Sequence, residues 1–360
     1  MTDHVLVVGT GLLGTSVGIA LSRKGFRVSL EDVSPTAVAL ARDLGAGTIG
    51  TDDSPDLVIV AAPPDVAGQV VADQLAAYPR AHVTDVASVK VAVADAVRRS
   101  APDHLDRYVG SHPMAGRERS GAVAAQADLF EGRTWVICPH AATAPEATEL
   151  VRRVAEAVGA VPVTMDAAEH DAAVATVSHL PQVAASLVAA RLREVSEDAV
   201  ALAGQGVRDV TRIAASDPML WTQILAGNAS ALLPVVERLA GDVAAVRDAL
   251  RRVTDDPDSE GARGVLATAI ADGQLGRARI PGKHGAPPTT YATVLVVVPD
   301  RPGSLAHLFH DVGAASVSIE DIRIEHARGG PVGLVELSVL PAVLDRLRSA
   351  LTAAGWSVHE

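Results

Sequence analysis

At 360 residues the chain is long for a single hydrophobic core, and two or three domains are expected. Apolar residues make up 48% and aromatics only 2%, which excludes a disordered chain and favours helices with small, closely packing side chains. Its 31 Lys+Arg against 43 Asp+Glu give a net charge of −12, which excludes nucleic acid as a partner and obliges any anionic ligand to meet a local basic group.

The single cysteine, Cys138, rules out an intrachain disulfide and a multi-cysteine metal site, and no metal is expected. It fits a reducing, cytoplasmic setting. The run Val5-Leu6-Val7-Val8 near the start is too short for a signal segment. The most apolar long stretch, 172–190, is broken by His179, Pro181 and Gln182, and reads as a buried core helix rather than a membrane span.

In chain order, residues 5–8, 27–30, 57–61, 82–85, 108–110, 134–138 and 161–164 read as strands. Helical patterns intervene at 13–23, 35–44, 66–76 and 89–98. This alternation predicts a Rossmann-type, doubly wound α/β domain over 1–165 with a mainly parallel sheet. From 166 to 278 the strand signal vanishes, and Ala, Leu, Val and Arg recur at helical spacing, predicting an all-helical second domain. Its long aliphatic helices carry more apolar surface than a small domain buries, so a homodimer through this region is expected. Residues 279–290, rich in Pro and Gly, read as a linker. Residues 291–360 then show strand, helix, two strands, helix and strand, the ferredoxin-like order β-α-β-β-α-β.

The chemistry-bearing motifs fall at the predicted carboxyl ends of strands. Gly9-Thr-Gly-Leu-Leu-Gly14 follows the first strand and opens a helix. Gly9 permits the tight turn, Gly11 lets a pyrophosphate approach the backbone, Leu12 and Leu13 begin the helix, and Gly14 allows close helix–strand packing. Glu31 and Asp32 end the second strand, where a carboxylate accepts from ribose hydroxyls and repels a 2′-phosphate. Asp32 is the favoured ligand, and NAD the expected cofactor. Ala61-Ala62-Pro63-Pro64 is small and poor in donors at the same sheet edge, where Ala62 and Pro63 are either cofactor contacts or a simple strand–loop boundary.

Three further clusters face that edge: Thr84-Asp85-Val86-Ala87-Ser88-Val89-Lys90, then Gly110-Ser111-His112-Pro113-Met114-Ala115-Gly116-Arg117-Glu118, and Ser178-His179-Leu180-Pro181-Gln182 followed by Arg208-Asp209-Val210-Thr211-Arg212 and Asp217-Pro218-Met219-Leu220-Trp221. A neutral imidazole at His112 can accept a proton near pH 7. Ser88 could equally cap a helix starting near Val89. Arg212 offers a fork of donors suited to a carboxylate, or an ion pair with Asp209 or Asp217. Lys90 receives no role, and Trp221 reads as packing.

Taken in order over residues 4–275, these motifs resemble the prephenate/arogenate dehydrogenase family of tyrosine biosynthesis. The last segment resembles an ACT regulatory domain, with Asp300-Arg-Pro-Gly-Ser-Leu305 as its strand-to-helix turn. The resemblance implies NAD-dependent oxidative decarboxylation of prephenate, with arogenate or an amino-substituted analogue as the alternative. It implies His112 as proton acceptor, Ser88 beside it, Arg212 on the ring carboxylate, and substrate contacts from His179, Glu118 and Gln182. It also implies tyrosine as effector at the C-terminal domain. Many prephenate-using relatives carry histidine where this chain has Gln182, near the side-chain end of the substrate. A β-hydroxyacid dehydrogenase shares the architecture but calls for a helical-domain lysine, and 167–276 contains none. A non-catalytic NAD or amino-acid sensor has no need of His112, Ser88 and Arg212 together.

Overall fold

A computed structural model describes residues 4–50, 54–116, 121–281, 291–326 and 332–359. These form two compact units, dividing between Gly241 and Asp242.

The first unit is built on strands β1 (His4–Val8), β2 (Arg27–Glu31), β3 (Thr48–Ile49), β4 (Leu57–Val60), β5 (His82–Asp85), β6 (Tyr108–Pro113), β7 (Thr134–Cys138) and β8 (Val161–Thr164). They lie in one sheet in the order β3-β2-β1-β4-β5-β6-β7-β8. All neighbours are parallel except β6 and β7, which run antiparallel with His112 opposite Val136. β4 and β5 sit at the centre, and the Leu57-Val-Ile-Val60 run of β4 is wholly buried because helices cover both faces. The covering helices are α1 (Leu12–Arg23), α2 (Pro35–Asp43), α3 (Pro64–Ala77), α4 (Val91–Ser100) and α5 (Pro145–Ala157). One core holds Val5, Leu30, Ile59 and Trp135; the other holds Leu6, Val58, Val71 and Tyr108.

Small residues let α1 approach this closely. A Cβ on Gly14 would stand 1.9 Å from the Gly9 carbonyl oxygen, and one on Gly18 would stand 2.6 Å from that of Ala46. Gly9 itself takes φ +96°, which a side chain would strain.

Helices follow: α6 (Ala167–Val174), α7 (Leu180–Arg191), α8 (Glu197–Val200), α9 (Gln205–Thr211), α10 (Pro218–Gly227) and α11 (Ala229–Asp255), the last crossing the unit boundary. Between α6 and α7, Ala175–His179 forms a π-turn. Pro181 lacks the amide hydrogen that an uninterrupted α-helix would use there, and the wider turn accommodates it. The expectation of a buried core helix over 172–190 is corrected here. Ala167–Glu194 is long and apolar enough to span a membrane, yet only 28% of its apolar window is buried, and Val177 and Leu187 are exposed. Its inward face instead carries buried His170, Asp171, His179 and Gln182.

The second unit contains α12 (Ala262–Arg277) and a four-stranded antiparallel sheet. Its elements are β9 (Ala292–Pro299), α13 (Ser304–Ala314), β10 (Asp321–His326), β11 (Val332–Val339), α14 (Leu344–Ala353) and β12 (Ser357–His359), with strand order β10-β11-β9-β12. The β-α-β-β-α-β order expected from the pattern is present. The strand expected over 317–324 begins later, at Asp321, and Ser316 turns the chain with φ +54°. Val294, Val296, Leu308, Leu337 and Leu347 form its core, and Trp356 Nε1 donates to Asp311 Oδ2 at 2.7 Å.

Candidate active site

A cavity of about 1410 Å³ opens along the carboxyl edge of the eight-stranded sheet. Gly9, Gly11, Leu12, Leu13, Asp32, Ala62 and Pro63 line one part of it. Ser88, His112, His179, Gln182 and Arg212 line the same cavity. Gly14 lies beneath, packed on Gly9. Glu118 lies outside the described residues.

The glycine turn fits a dinucleotide. Gly11 is the N-cap of α1, and nothing stands within 4 Å of where its Cβ would be, so an anion can reach the backbone there. No acidic residue occupies the first turn of α1 to oppose it. Asp32 also holds this turn in place. Its Oδ2 accepts from Thr10 N at 2.6 Å and Thr10 Oγ1 at 2.8 Å, and its Oδ1 accepts from Ser34 N at 2.8 Å. A carboxylate has about four lone-pair sites, so an acceptor position remains for a ribose hydroxyl. Glu31, the alternative ligand, instead accepts from Tyr78 OH at 3.1 Å.

His112 is buried near the end of β6, where it pairs with Val136 of β7, beyond the Tyr108–Gly110 stretch that pairs with β5. Its Nδ1 lies 2.8 Å from His170 Nε2, and His170 Nδ1 lies 2.8 Å from Asp171 Oδ1. Asp171 also accepts from Lys90 N at 2.8 Å and Val91 N at 2.9 Å. With both rings in the neutral form, a carboxylate receiving these donors sets the tautomers: His170 carries its proton on Nδ1, His112 donates from Nδ1, and His112 Nε2 keeps its lone pair for a ligand.

His179 is set the opposite way. Asn228 Nδ2 donates to Asp171 O at 2.8 Å and to His179 Nδ1 at 3.1 Å, so the proton of neutral His179 resides on Nε2, a donor. Trp221 packs edge-on against this ring, with centroids 6.1 Å apart. The cavity thus holds a histidine acceptor, a histidine donor and a guanidinium.

Burial pushes the pKa of His112 well below its ordinary 6.5, with smaller contributions from His170, Lys90 and His179. Burial likewise lowers that of His179. A proton acceptor works when deprotonated, so lowering its pKa extends the active range toward acid. We expect kcat/KM to stay flat as pH falls through 6.5 and to decline only below it, in a pH–rate profile with saturating cofactor. A limb centred at or above 6.5 would contradict this assignment.

Two expectations are corrected. Ser88 does not cap a helix: α4 starts at Val91, and Asp171, from a distant segment, takes the free amide hydrogens. Lys90, given no role, is wholly buried, pairs closely with Asp85 and donates to Ser111 O at 2.6 Å. Asp85 further accepts from Tyr108 OH at 2.8 Å and Ala87 N at 3.0 Å, which satisfies the buried pair. Around Arg212, Asp217 caps α10 and Asp209 accepts from Gln205.

Sequence reasoning missed His170, Asp171 and Asn228. The adjacent His-Asp pair at the head of a predicted helix was a visible signal. Nothing in the spacing connects it with His112, 58 residues earlier.

The family model for the prephenate dehydrogenase nucleotide-binding domain matches residues 17–164, and that for the prephenate dehydrogenase dimerization domain matches 166–261. The probable prephenate dehydrogenase NovF of Streptomyces niveus is 37% identical, covering 98% of this chain and 99% of that protein. The prephenate dehydrogenase of Bacillus subtilis is 32% identical, covering 94% and 92%. Among solved structures, Aquifex aeolicus prephenate dehydrogenase, in complex with hydroxyphenyl propionate and NAD+, superposes with a TM-score of 0.66 at 29% identity. The match covers 77% of this chain and 98% of that one. With matches of this length across both domains, the chain belongs to the prephenate dehydrogenase family.

Proposed function

We propose that this chain catalyses the NAD-dependent oxidative decarboxylation of prephenate to 4-hydroxyphenylpyruvate. The observation that carries this reading is a proton acceptor, His112, oriented by His170 and Asp171 within the cavity that the glycine turn also lines. Full-length similarity to prephenate dehydrogenases supports it.

In this reading the C4 hydroxyl of the substrate donates to His112 Nε2, with Ser88 beside it. NAD, held by the glycine turn and Asp32, would supply the acceptor for the hydride of C4. As the O–H proton moves to His112, the bond from C1 to its carboxylate breaks, carbon dioxide leaves, the ring becomes aromatic, and the phenolate oxygen takes the proton back from His112. Arg212 holds the ring carboxylate, and His179 supplies a donor from Nε2. Gly9, Gly11, Leu12, Leu13 and Gly14 seat the pyrophosphate, Asp32 the ribose, and Ala62 and Pro63 flank the cofactor. Glu118 is assigned to the substrate mouth by resemblance alone.

The test is formation of reduced nicotinamide from prephenate and NAD. Arg212→Ala is expected to raise KM for prephenate by roughly 10–100-fold, the worth of a charge-assisted hydrogen bond, with a smaller effect on kcat. An unchanged KM would remove Arg212 from the substrate site.

We further assign residues 1–165 to cofactor binding, 166–278 to substrate binding and homodimer formation, 279–290 to a linker and 291–360 to an ACT-type domain that binds tyrosine. The description of the matched 166–261 family as a dimerization domain, and the exposed apolar residues of α7, support the dimer. A reducing cytoplasm suits the lone buried Cys138. Removing residues 291–360 is expected to relieve inhibition by tyrosine in the same assay; inhibition that persists would leave this domain without a regulatory role.

A further inference from the structure

One buried cation takes no part in the chemistry above. Lys90 is the N-cap residue of α4 and only 1% exposed. A buried ammonium needs a counter-ion, and Asp85 supplies it. Such a pair adds little stability over apolar residues of similar volume, so packing alone does not call for it. What the lysine also holds is a peptide. The ladder between β5 and β6 stops at Gly110, opposite Asp85 at the end of β5. One residue further along β6, Lys90 Nζ donates to Ser111 O at 2.6 Å. That carbonyl shares a rigid peptide plane with the amide nitrogen of His112. The ammonium therefore takes over where β5 ends, and it fixes the backbone from which the imidazole projects.

The backbone of the same lysine meets the histidine relay at its far end. Lys90 N donates at 2.8 Å to Asp171 Oδ1, the oxygen that also receives His170 Nδ1 at 2.8 Å. His170 Nε2 in turn lies 2.8 Å from His112 Nδ1. Lys90 thus anchors both ends of the line His112–His170–Asp171, one through its side chain and the other through its amide. The line joins β6 to α6, and the two histidines are 58 residues apart in sequence. Local structure does not set their separation, and a hydrogen bond weakens steeply once distance or angle is lost.

Resting on the function proposed above, we propose that Lys90 is a positioning residue for the proton transfer. Its ammonium on Ser111 O and its amide on Asp171 together set the alignment of His112 with His170, and with it the direction in which His112 Nε2 meets the hydroxyl.

The experiment compares the wild type with Lys90→Gln and with Lys90→Met/Asp85→Asn. Gln still offers Asp85 a donor, but it is one bond shorter than Lys and releases Ser111 O. The double variant removes both charges. Its Asn can accept from Ala87 N while its nitrogen faces the Tyr108 hydroxyl, so neither group is stranded. In each variant kcat with prephenate and NAD is expected to fall about 10–100-fold, with KM within about threefold, as for a reacting atom misplaced by up to about 1 Å. The His112 Nδ1–H proton resonance, read by NMR without substrate, is expected to move upfield as its bond to His170 lengthens. A merely structural lysine would lower thermal stability and leave kcat and this resonance in place. NAD-induced thermal stabilisation identifies a folded variant, and either variant alone decides. In a folded variant, kcat within about threefold of wild type, a loss carried by KM, or an unmoved resonance overturns the proposal. Absence of prephenate turnover by the wild type would instead sink the proposed function, and the resonance would still test the positioning.

Discussion

Replacing His112 by Asn is expected to lower kcat by about 10²–10⁴-fold, the range for removal of a positioned general base. Asn retains a side-chain donor that can face His170, but it has no basic nitrogen to take the hydroxyl proton. The backbone at this position is held by β7, where His112 pairs with Val136, and the start of β6, Tyr108 to Gly110, pairs with β5. The substitution should therefore leave the sheet, and the glycine turn on β1, intact. Steady-state kinetics with prephenate, together with NAD-induced thermal stabilisation, check this result. A loss of activity smaller than tenfold would mean that another group accepts the proton.

Asp171→Asn is expected to cost about 10²-fold or more in kcat, although Asp171 meets the substrate only through two histidines. Its two carboxylate oxygens serve three donors: His170 Nδ1, Lys90 N and Val91 N. An amide has one accepting atom, and its nitrogen must face at least one of these N–H groups donor to donor. The stranded donor costs about 1–3 kcal/mol of stability. The larger effect is on proton position. If the amide nitrogen faces His170, that ring must accept at Nδ1 and donate from Nε2. His112 Nδ1 then becomes an acceptor, and its proton moves to Nε2, the atom that should receive the hydroxyl proton. Imposing the wrong tautomer through a buried carboxylate-to-amide change costs about 10⁴ in the serine-protease triad. The check is kcat combined with histidine ring nitrogen chemical shifts, which report the tautomer directly. Tautomers unchanged and kcat within threefold of wild type would reduce Asp171 to a helix cap.

The two substitutions differ in what they touch. His112→Asn removes the group that moves the proton. Asp171→Asn leaves that group in place and changes which of its nitrogens is free. A graded loss across the pair would support a relay acting through orientation.

Much of this protein was legible in its sequence. Alternating buried strands and amphipathic helices marked the parallel sheet, because side-chain periodicity is set within a few residues. Gly9, Gly11 and Gly14 marked the turn, because a positive φ and close approach are backbone requirements that few other residues meet. The β-α-β-β-α-β order of the last segment was visible for the same local reason. His112, Ser88, His179, Gln182 and Arg212 were singled out by residue type and motif, and they do line one cavity.

Tertiary structure decided what those residues can do. The antiparallel pairing of β6 with β7, which makes His112 a sheet residue, joins strands whose relative direction no local pattern encodes. The partners of His112 and of the start of α4 come from 58 and 81 residues away in sequence. Lys90 became a buried ion-pair partner of Asp85 only once β5, β6 and α4 had closed around it. Sequence specifies which donors and acceptors exist, but hydrogen bonds act only over about 3 Å. Which atom faces which, and hence which nitrogen of a histidine holds its proton, is therefore settled by packing.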